Sequence, residues 1–172
     1  PDLWTGDSRF GDIRKLSDVG AQQKPYSWGA SRLMRYTSTD GKPLSAILTL
    51  PDYYSSLRKY PLMVYIYERM ADGLHQYTSP APGTSINFAR YVSNGYLLLR
   101  PDIAYEPGYP GESAMKCVLP AIQKLIDEGY ADPKRIGIQG HSWGGYEITY
   151  LVTRTDLFAA VEAGASVSNM VS

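Results

Sequence analysis

One serine flanked by glycines stands out in this 172-residue chain as a residue suited to covalent catalysis. Ser142 lies within Gly140-His141-Ser142-Trp143-Gly144-Gly145, which fits the pattern Gly-x-Ser-x-Gly. In that pattern the serine occupies a sharp, strained turn between a strand and a helix, and its hydroxyl is exposed. Small residues give such a turn the space it requires. Ser142 is therefore predicted to be a nucleophile that attacks a carbonyl carbon and forms an acyl-enzyme.

The segments on either side of the motif have the patterns that it requires. Residues 135–139 form a short apolar run that favours a strand. Ile148, Leu151 and Val152 follow at the i, i+3, i+4 spacing that indicates a helix. The alternative is an ordinary serine in a glycine-rich turn between a strand and a helix.

Composition and charge indicate one ordinary globular domain. Hydrophobic residues make up 44% of the chain and charged residues 20%, and 17 basic and 17 acidic side chains give a formal net charge of zero. No basic excess favours nucleic acid as a partner, and no apolar run approaches the ~20 residues of a membrane span. Neither metal-ligand spacing nor a phosphate-binding glycine loop is present, so no metal and no cofactor are expected. The cellular compartment stays open.

The elements that must position Ser142 alternate between strands and helices from residue 31 onward. The predicted strands cover residues 33–37, 44–50, 62–67, 96–99, 135–139 and 158–161. The predicted helices cover residues 85–94, 115–126 and 146–154, and Pro120 is expected to kink or split the second one. This alternation predicts an α/β fold in which helices connect parallel strands.

Two long loops, residues 68–83 and 103–111, follow predicted strands. Long loops in compact domains are usually functional. Asp102 precedes the second loop, and it is expected to hold residues 105–111 through Asx-type hydrogen bonds.

The motif and its flanks resemble the prolyl oligopeptidase family of serine peptidases, and the dipeptidyl-peptidase and acylaminoacyl-peptidase branches in particular. The resemblance rests on Gly140 to Tyr146 with the preceding Asp132-Pro133-Lys134-Arg135-Ile136, and on further stretches at 39–44, 59–62, 94–96 and 101–102. It covers roughly residues 31–172. Residues 1–29, which begin Pro1-Asp2-Leu3-Trp4, resemble the final strands of the β-propeller that precedes the catalytic domain in that family.

The resemblance implies a fold and a division of the chain. Residues 1–29 are expected to be the end of a β-propeller and a linker, and residues 30–172 the N-terminal half of an α/β-hydrolase domain. Family members carry an Asp and then a His after the elbow serine, whereas this chain ends at Ser172. The triad Asp and His are therefore expected beyond residue 172, and the chain alone is expected to be inactive.

An oxyanion hole needs two donors aimed at the developing negative charge. One donor is predicted to be the backbone N–H of Trp143, the residue after the nucleophile. By resemblance, the second is the hydroxyl of Tyr67. The family has a glycine-rich, proline-containing turn after this tyrosine, whereas Glu68-Arg69-Met70 stands here. A core tyrosine at the end of a strand is the alternative.

Four other reactive side chains receive structural interpretations. His141 and His75 both precede Ser142, so neither fits the family's base. His141 is expected to have a packing role or to lie beside the oxyanion, and His75 to be a solvated loop residue. Cys117, the single cysteine, is expected on a buried helix face, and Glu147 on a solvated one.

The leading functional hypothesis is a serine peptidase that hydrolyses peptide bonds through an acyl-enzyme on Ser142 of the intact protein. One alternative is a carboxylic-ester hydrolase, because the same elbow serves esterases. Another is a non-catalytic, hydrolase-like interaction module. The propeller-like N-terminal segment favours a peptidase with a peptide substrate. Endopeptidase and exopeptidase activity, and a homo-oligomeric state, are left open.

Overall fold

A six-stranded sheet forms the centre of the structure, a computed structural model that describes residues 2–81, 83 and 85–169. Its strands are β3 (Ala30–Thr37), β4 (Pro43–Leu50), β5 (Tyr60–Tyr65), β6 (Leu97–Pro101), β7 (Ala131–His141) and β8 (Ala160–Gly164). Two short strands, β1 (Trp4–Thr5) and β2 (Arg14–Lys15), pair with each other in a separate antiparallel sheet. The helices are α1 (Phe88–Ser93), α2 (Pro110–Asp127) and α3 (Trp143–Val152), and 3-10 turns cover Val19–Gln23 and Ala71–Gly73.

The strand order β3-β4-β6-β5-β7-β8 confirms the predicted α/β fold. The pairs β3–β4 and β4–β6 are antiparallel, and the other three pairs are parallel. The first of these pairs is a hairpin, whose turn lies between Thr37 and Pro43. The strand predicted over residues 62–67 begins earlier and ends at Tyr65, so Tyr67 belongs to the loop that follows β5.

Helices cover both faces of this sheet. The middle strands are continuous apolar runs because side chains on both of their faces are buried. On one face α2 buries residues at three- and four-residue spacing, among them Val118, Ala121, Ile122 and Leu125. On the other face, Val92 of α1 packs in a smaller cluster with Tyr65 and Leu98. Leu62 of β5 and Leu99 of β6 are both fully buried.

Helix α2 runs without interruption from Pro110 to Asp127, so of the expected kink or split at Pro120 the split is wrong. Proline has no N–H with which to bond the carbonyl four residues earlier, here that of Lys116. In the structure the backbone N–H of Thr39 donates to that carbonyl at 3.0 Å. The hairpin turn between β3 and β4 thereby satisfies the acceptor that the proline leaves free. The helix ends shortly before Gly129, whose φ of 79° lies in the left-handed region that glycine favours.

Candidate active site

Ser142 sits in a single-residue turn between the end of β7 at His141 and the start of α3 at Trp143. Its backbone angles are φ 57° and ψ −110°. Residues with a Cβ rarely adopt a positive φ, and those that do are concentrated at functional sites. The strand, turn and helix that the sequence predicts around this serine are therefore present.

The motif glycines are positions at which a neighbouring backbone approaches too closely for a side chain. A Cβ on Gly144 would lie 2.3 Å from the carbonyl oxygen of Ile66, directly after β5. A Cβ on Gly145 would lie 2.9 Å from the carbonyl oxygen of Gly164, at the end of β8. A Cβ on Gly140 would lie 2.9 Å from the carbonyl carbon of Gly144 within the elbow itself.

Hydrogen bonds fix the backbone of Ser142 on both sides. Its N–H donates to the carbonyl of Gly164 at 2.8 Å, and its carbonyl accepts from the N–H of Tyr146 at 3.1 Å. The first bond joins Ser142 to β8 and the second joins it to α3. These contacts hold the strained turn in place.

Trp143 is the first residue of the ten-residue helix α3. Backbone N–H groups in the first turn of a helix have no partner within the helix, and the helix dipole favours negative charge there. The indole ring stacks on Tyr146 with centroids 5.3 Å apart. The Trp143 N–H thus lies directly after Ser142 at the helix N-terminus, as an oxyanion donor must, and that role stays a prediction.

Tyr67 lies beside this elbow. Its Cα would be 3.6 Å from a Cβ on Gly144, and the preceding Ile66 N–H donates to the Gln139 carbonyl at 3.1 Å. The side chain is 38% exposed, so Tyr67 is not the core residue of the alternative interpretation. Its role as the second oxyanion donor stays a prediction.

Asp102 fixes the loop that carries Tyr67, and not residues 105–111 as predicted. Its carboxylate Oδ1 accepts from the N–H groups of Met70 and Ala71 at 2.7 and 2.8 Å. The structural role is confirmed, but the loop that Asp102 holds was wrongly predicted. The error arose because β6 is adjacent to β5 in the sheet, so the neighbour of Asp102 is distant in sequence.

The residues after Asp102 hold the same loop. The Ile103 N–H donates to the Glu68 carbonyl at 3.1 Å, and the Tyr105 hydroxyl donates to the Tyr67 carbonyl at 2.7 Å. The segment after β6 therefore holds the Tyr67 loop through contacts from another part of the chain. In the prolyl oligopeptidase family, a glycine-rich turn stands at the position of this loop.

The expectation of a solvated Glu147 is wrong, because this side chain is fully buried on α3. Its Oε1 is hydrogen-bonded to the Tyr105 hydroxyl, and its Oε2 has no hydrogen-bond partner among the described residues. Burial raises the pKa of Glu147 to about 8. The sequence did contain a signal: Glu147 lies three residues after Gly144 and four before Leu151, which is the spacing of one helix face.

Neither histidine is joined to the Ser142 hydroxyl by a hydrogen bond in the part of the chain that the structure describes. His141 pairs with Gly164 across β7 and β8, and His75 is exposed after a 3-10 turn. Cys117 is buried on α2 as predicted, and burial raises the pKa of its thiol.

A groove of about 510 Å³ lies beside the elbow, with Glu68, Tyr105, Pro107, Trp143 and Tyr146 among its lining residues. A slightly larger groove, about 570 Å³, is lined partly by Tyr26, Trp28, Tyr77 and Arg90 and includes no residue of the Gly-x-Ser-x-Gly motif. Of these two grooves, only the one beside the elbow is lined by a residue of the Gly-x-Ser-x-Gly motif, Trp143.

Within the described ranges, no helix has both the length and the apolar character that a bilayer crossing needs. The same residues contain no group of three or more His, Cys, Asp or Glu side chains arranged to hold a metal ion.

Comparison with known proteins identifies related sequences. Residues 109–172 match the model of the prolyl oligopeptidase family. The dipeptidyl-peptidase 5 of Porphyromonas gingivalis is 27% identical over 145 residues, which are 77% of this chain and 21% of that protein. The acylamino-acid-releasing enzyme of Arabidopsis thaliana is 40% identical over 67 residues, which are 38% of this chain and 9% of that protein. The chain thus spans less than a quarter of either relative.

Solved structures share the fold. An acylaminoacyl peptidase of Pyrococcus horikoshii superposes with a TM-score of 0.71 at 24% identity, over 97% of this chain and 28% of that one. An acylaminoacyl peptidase in complex with Z-Gly-Gly-Phe-chloromethyl ketone gives a TM-score of 0.70, also at 24% identity, with the same coverage of both chains. Nearly the whole of this chain therefore has the same fold as the corresponding part of those proteins.

Proposed function

We propose that this chain, whose residues 109–172 match the model of the prolyl oligopeptidase family, is part of a serine peptidase acting through Ser142. One observation carries the proposal: Ser142 has the strained backbone of a nucleophile elbow, at φ 57° and ψ −110°, at the N-terminus of α3. An ordinary serine gains nothing from such a conformation, which costs on the order of 1–3 kcal/mol.

In the proposed reaction the Ser142 oxygen attacks the carbonyl carbon of a peptide bond while a base removes the hydroxyl proton. The Trp143 N–H and the Tyr67 hydroxyl donate to the resulting oxyanion. The C–N bond then breaks, the amine leaves with that proton, and water hydrolyses the acyl-enzyme. We propose that the base is a histidine outside this sequence, because both histidines here precede Ser142 and the prolyl oligopeptidase family carries its base after the serine.

The groove beside the elbow supports a peptide substrate. Pro107, Trp143 and Tyr146 supply apolar and aromatic surface, which suits an uncharged side chain next to the scissile bond. The complex of a structurally similar acylaminoacyl peptidase with a peptidyl chloromethyl ketone is consistent with this substrate class.

We also propose a domain boundary between residues 29 and 30. The strands β1 and β2 form a sheet of their own, and the six-stranded sheet begins with β3 at Ala30. Residues 1–29 then belong to the end of a β-propeller and a linker, and residues from 30 onward belong to the hydrolase domain.

The test is Ser142→Ala in the intact protein, with Ser56→Ala, in an exposed loop, as the matched control. Labelling by a fluorophosphonate probe and hydrolysis of a peptide library and of p-nitrophenyl acetate are measured for each. Ser142→Ala is expected to abolish labelling and to lower turnover by several orders of magnitude. Near-normal peptide turnover in this variant would refute the assignment. Ester hydrolysis without peptide hydrolysis in the unmodified protein would favour an esterase, and no labelling at all would favour a non-catalytic module.

A further inference from the structure

The Tyr105 hydroxyl lies between two oxygen atoms. It is 2.7 Å from the carbonyl oxygen of Tyr67 and within hydrogen-bond distance of Oε1 of Glu147. A tyrosine hydroxyl carries a single hydrogen, so it donates to only one of them. The second contact is favourable only when the other group supplies the proton. A backbone carbonyl has no proton to give, so of these two groups only the Glu147 carboxyl can donate to the Tyr105 oxygen.

The two protonation states of Glu147 therefore have different consequences. An ionised Glu147 takes the Tyr105 hydrogen, and the Tyr67 carbonyl then faces the hydroxyl lone pairs without a donor. A protonated Glu147 donates its own hydrogen to the Tyr105 oxygen, which frees the Tyr105 hydrogen for the Tyr67 carbonyl. Only the protonated state satisfies both contacts.

The surroundings of Glu147 also favour the protonated state. The side chain is fully buried, and Oε2 has no partner in the described part of the chain, a situation that is costlier for a carboxylate than for a neutral acid. The titratable groups that face it are Tyr105, Glu68 of the loop after β5 and Cys117 of α2. None of them is a cation, and Glu68 opposes a second negative charge nearby.

This chain of hydrogen bonds connects three separate elements at the proposed site. Glu147 lies on α3, one and a half turns after Ser142, and Tyr105 lies in the loop after β6. Tyr67 follows β5, and its Cα faces Gly144 of the elbow. A change at Glu147 is therefore transmitted through Tyr105 to the backbone that carries the proposed oxyanion hydroxyl.

We propose that Glu147 is a positioning residue whose carboxyl proton holds Tyr67 beside the nucleophile through Tyr105, and that loss of this proton releases Tyr67. The proposal rests on the proposed peptidase function. It predicts that kcat falls as pH rises through the pKa of Glu147, while KM changes little, because the oxyanion donor matters most in the transition state.

The first experiment compares kcat and KM against pH in the intact protein, with p-nitrophenyl acetate as the probe, for four forms. In Glu147→Gln the amide N–H donates permanently to Tyr105, so kcat should stay near the original value at neutral pH and should not fall near pH 8. Tyr105→Phe removes the donor to Tyr67, so kcat should drop about tenfold or more at every pH. Glu128→Gln, on the exposed surface, is the control and should keep the original profile.

The second experiment does not depend on activity. Infrared difference spectra between the unmodified protein and Glu147→Gln report the carbonyl stretch of a protonated carboxyl group. That band should be present at neutral pH and should be lost as pH rises. The midpoint pH of its loss should equal the midpoint pH of the fall in kcat. Thermal melting and circular dichroism of both variants verify that each is folded.

The outcomes separate this proposal from the proposed function. Absence of fluorophosphonate labelling of Ser142 in the unmodified protein refutes the peptidase, whatever the infrared result. If Ser142 is labelled, a Glu147→Gln variant with the same alkaline fall in kcat overturns the role of Glu147. So does a carboxylate band for Glu147 at neutral pH.

Discussion

Ser142 occupies a backbone conformation that costs free energy, and its neighbours supply that energy. The Gly164 carbonyl accepts from its N–H at 2.8 Å, and α3 begins at the next residue. The Ser142 carbonyl also accepts from the Tyr146 N–H. Neutral hydrogen bonds of this kind contribute about 1 kcal/mol each, so these two offset a strain on the order of 1–3 kcal/mol. The surroundings of Ser142 therefore hold the proposed nucleophile in its strained conformation.

The proposed oxyanion hole can be tested by removing one group, the hydroxyl of Tyr67. Replacement of Tyr67 by Phe in the intact protein removes only the hydroxyl. We expect kcat to fall about a hundredfold or more while KM changes little, because one oxyanion donor is worth roughly 3 kcal/mol in the transition state. Steady-state kinetics on a peptide substrate measure both constants.

Tyr53→Phe is the matched control, because this tyrosine is 87% exposed on a loop. It should leave both constants unchanged. A Tyr67→Phe variant with an unaltered kcat would mean that Tyr67 has only a structural role.

At the scale of elements, the site depends on how closely the loop after β5 approaches the start of α3. The Ile66 carbonyl oxygen lies only 2.3 Å from the position that a Cβ on Gly144 would occupy, so strand end and helix start are in backbone contact. Asp102, at the end of β6, holds the same loop from the opposite side through the Met70 and Ala71 N–H groups. Three neighbouring strands, β6, β5 and β7, thus fix the spacing between Tyr67 and Ser142.

Replacement of Gly144 by Ala should disturb this spacing directly. The new methyl group would lie 2.3 Å from the Ile66 carbonyl oxygen, so the backbone before Tyr67 or the start of α3 has to move. Overpacking of this kind typically costs about 1–3 kcal/mol of stability. We expect a lower melting temperature and slower labelling of Ser142 by a fluorophosphonate.

Gly83→Ala provides the comparison, since no described residue apart from its neighbours in sequence has an atom within 4 Å of a Cβ at that position. It should melt and react as the unmodified protein does. Equal labelling rates for the two variants would show that the contact between Gly144 and Ile66 does not set the geometry of the nucleophile.

At the scale of the whole molecule, the two edges of the sheet differ in character. The edge strand β3 carries Arg32 and Arg35, and charged side chains protect an edge against pairing with another chain. The opposite edge strand, β8, carries a single charged residue, Glu162, and its Val161 is 46% exposed. Strand β8 is the edge better suited to pairing with a further strand.

A polypeptide consisting of residues 1–172 is therefore expected to self-associate through β8. The partner strand in such an assembly would satisfy the free backbone groups of this edge and cover Val161. Size-exclusion chromatography with light scattering at several concentrations measures the association. Ester turnover by the same polypeptide should be close to background, since among the described residues neither histidine is hydrogen-bonded to the Ser142 hydroxyl.

Val161→Lys adds a charge to this edge and should shift the polypeptide toward monomer. Val152→Lys, at a valine that is 41% exposed on α3, changes the same residue type away from the edge and should leave the association unchanged. A monomer at all concentrations, or equal effects of the two substitutions, would contradict association through β8.

The sequence by itself determined the α/β class, the strand–turn–helix context of Ser142 and the burial of Cys117, because periodicity and glycine spacing are local signals. Only the tertiary structure decided which loop Asp102 holds, why α2 continues through Pro120, and that Glu147 is buried against Tyr105. Each of these depends on a partner 31 to 77 residues away, for example the contact of Tyr105 with Glu147 across 42 residues. The order of strands in the sheet brings such residues together, and no window of neighbouring residues contains that information.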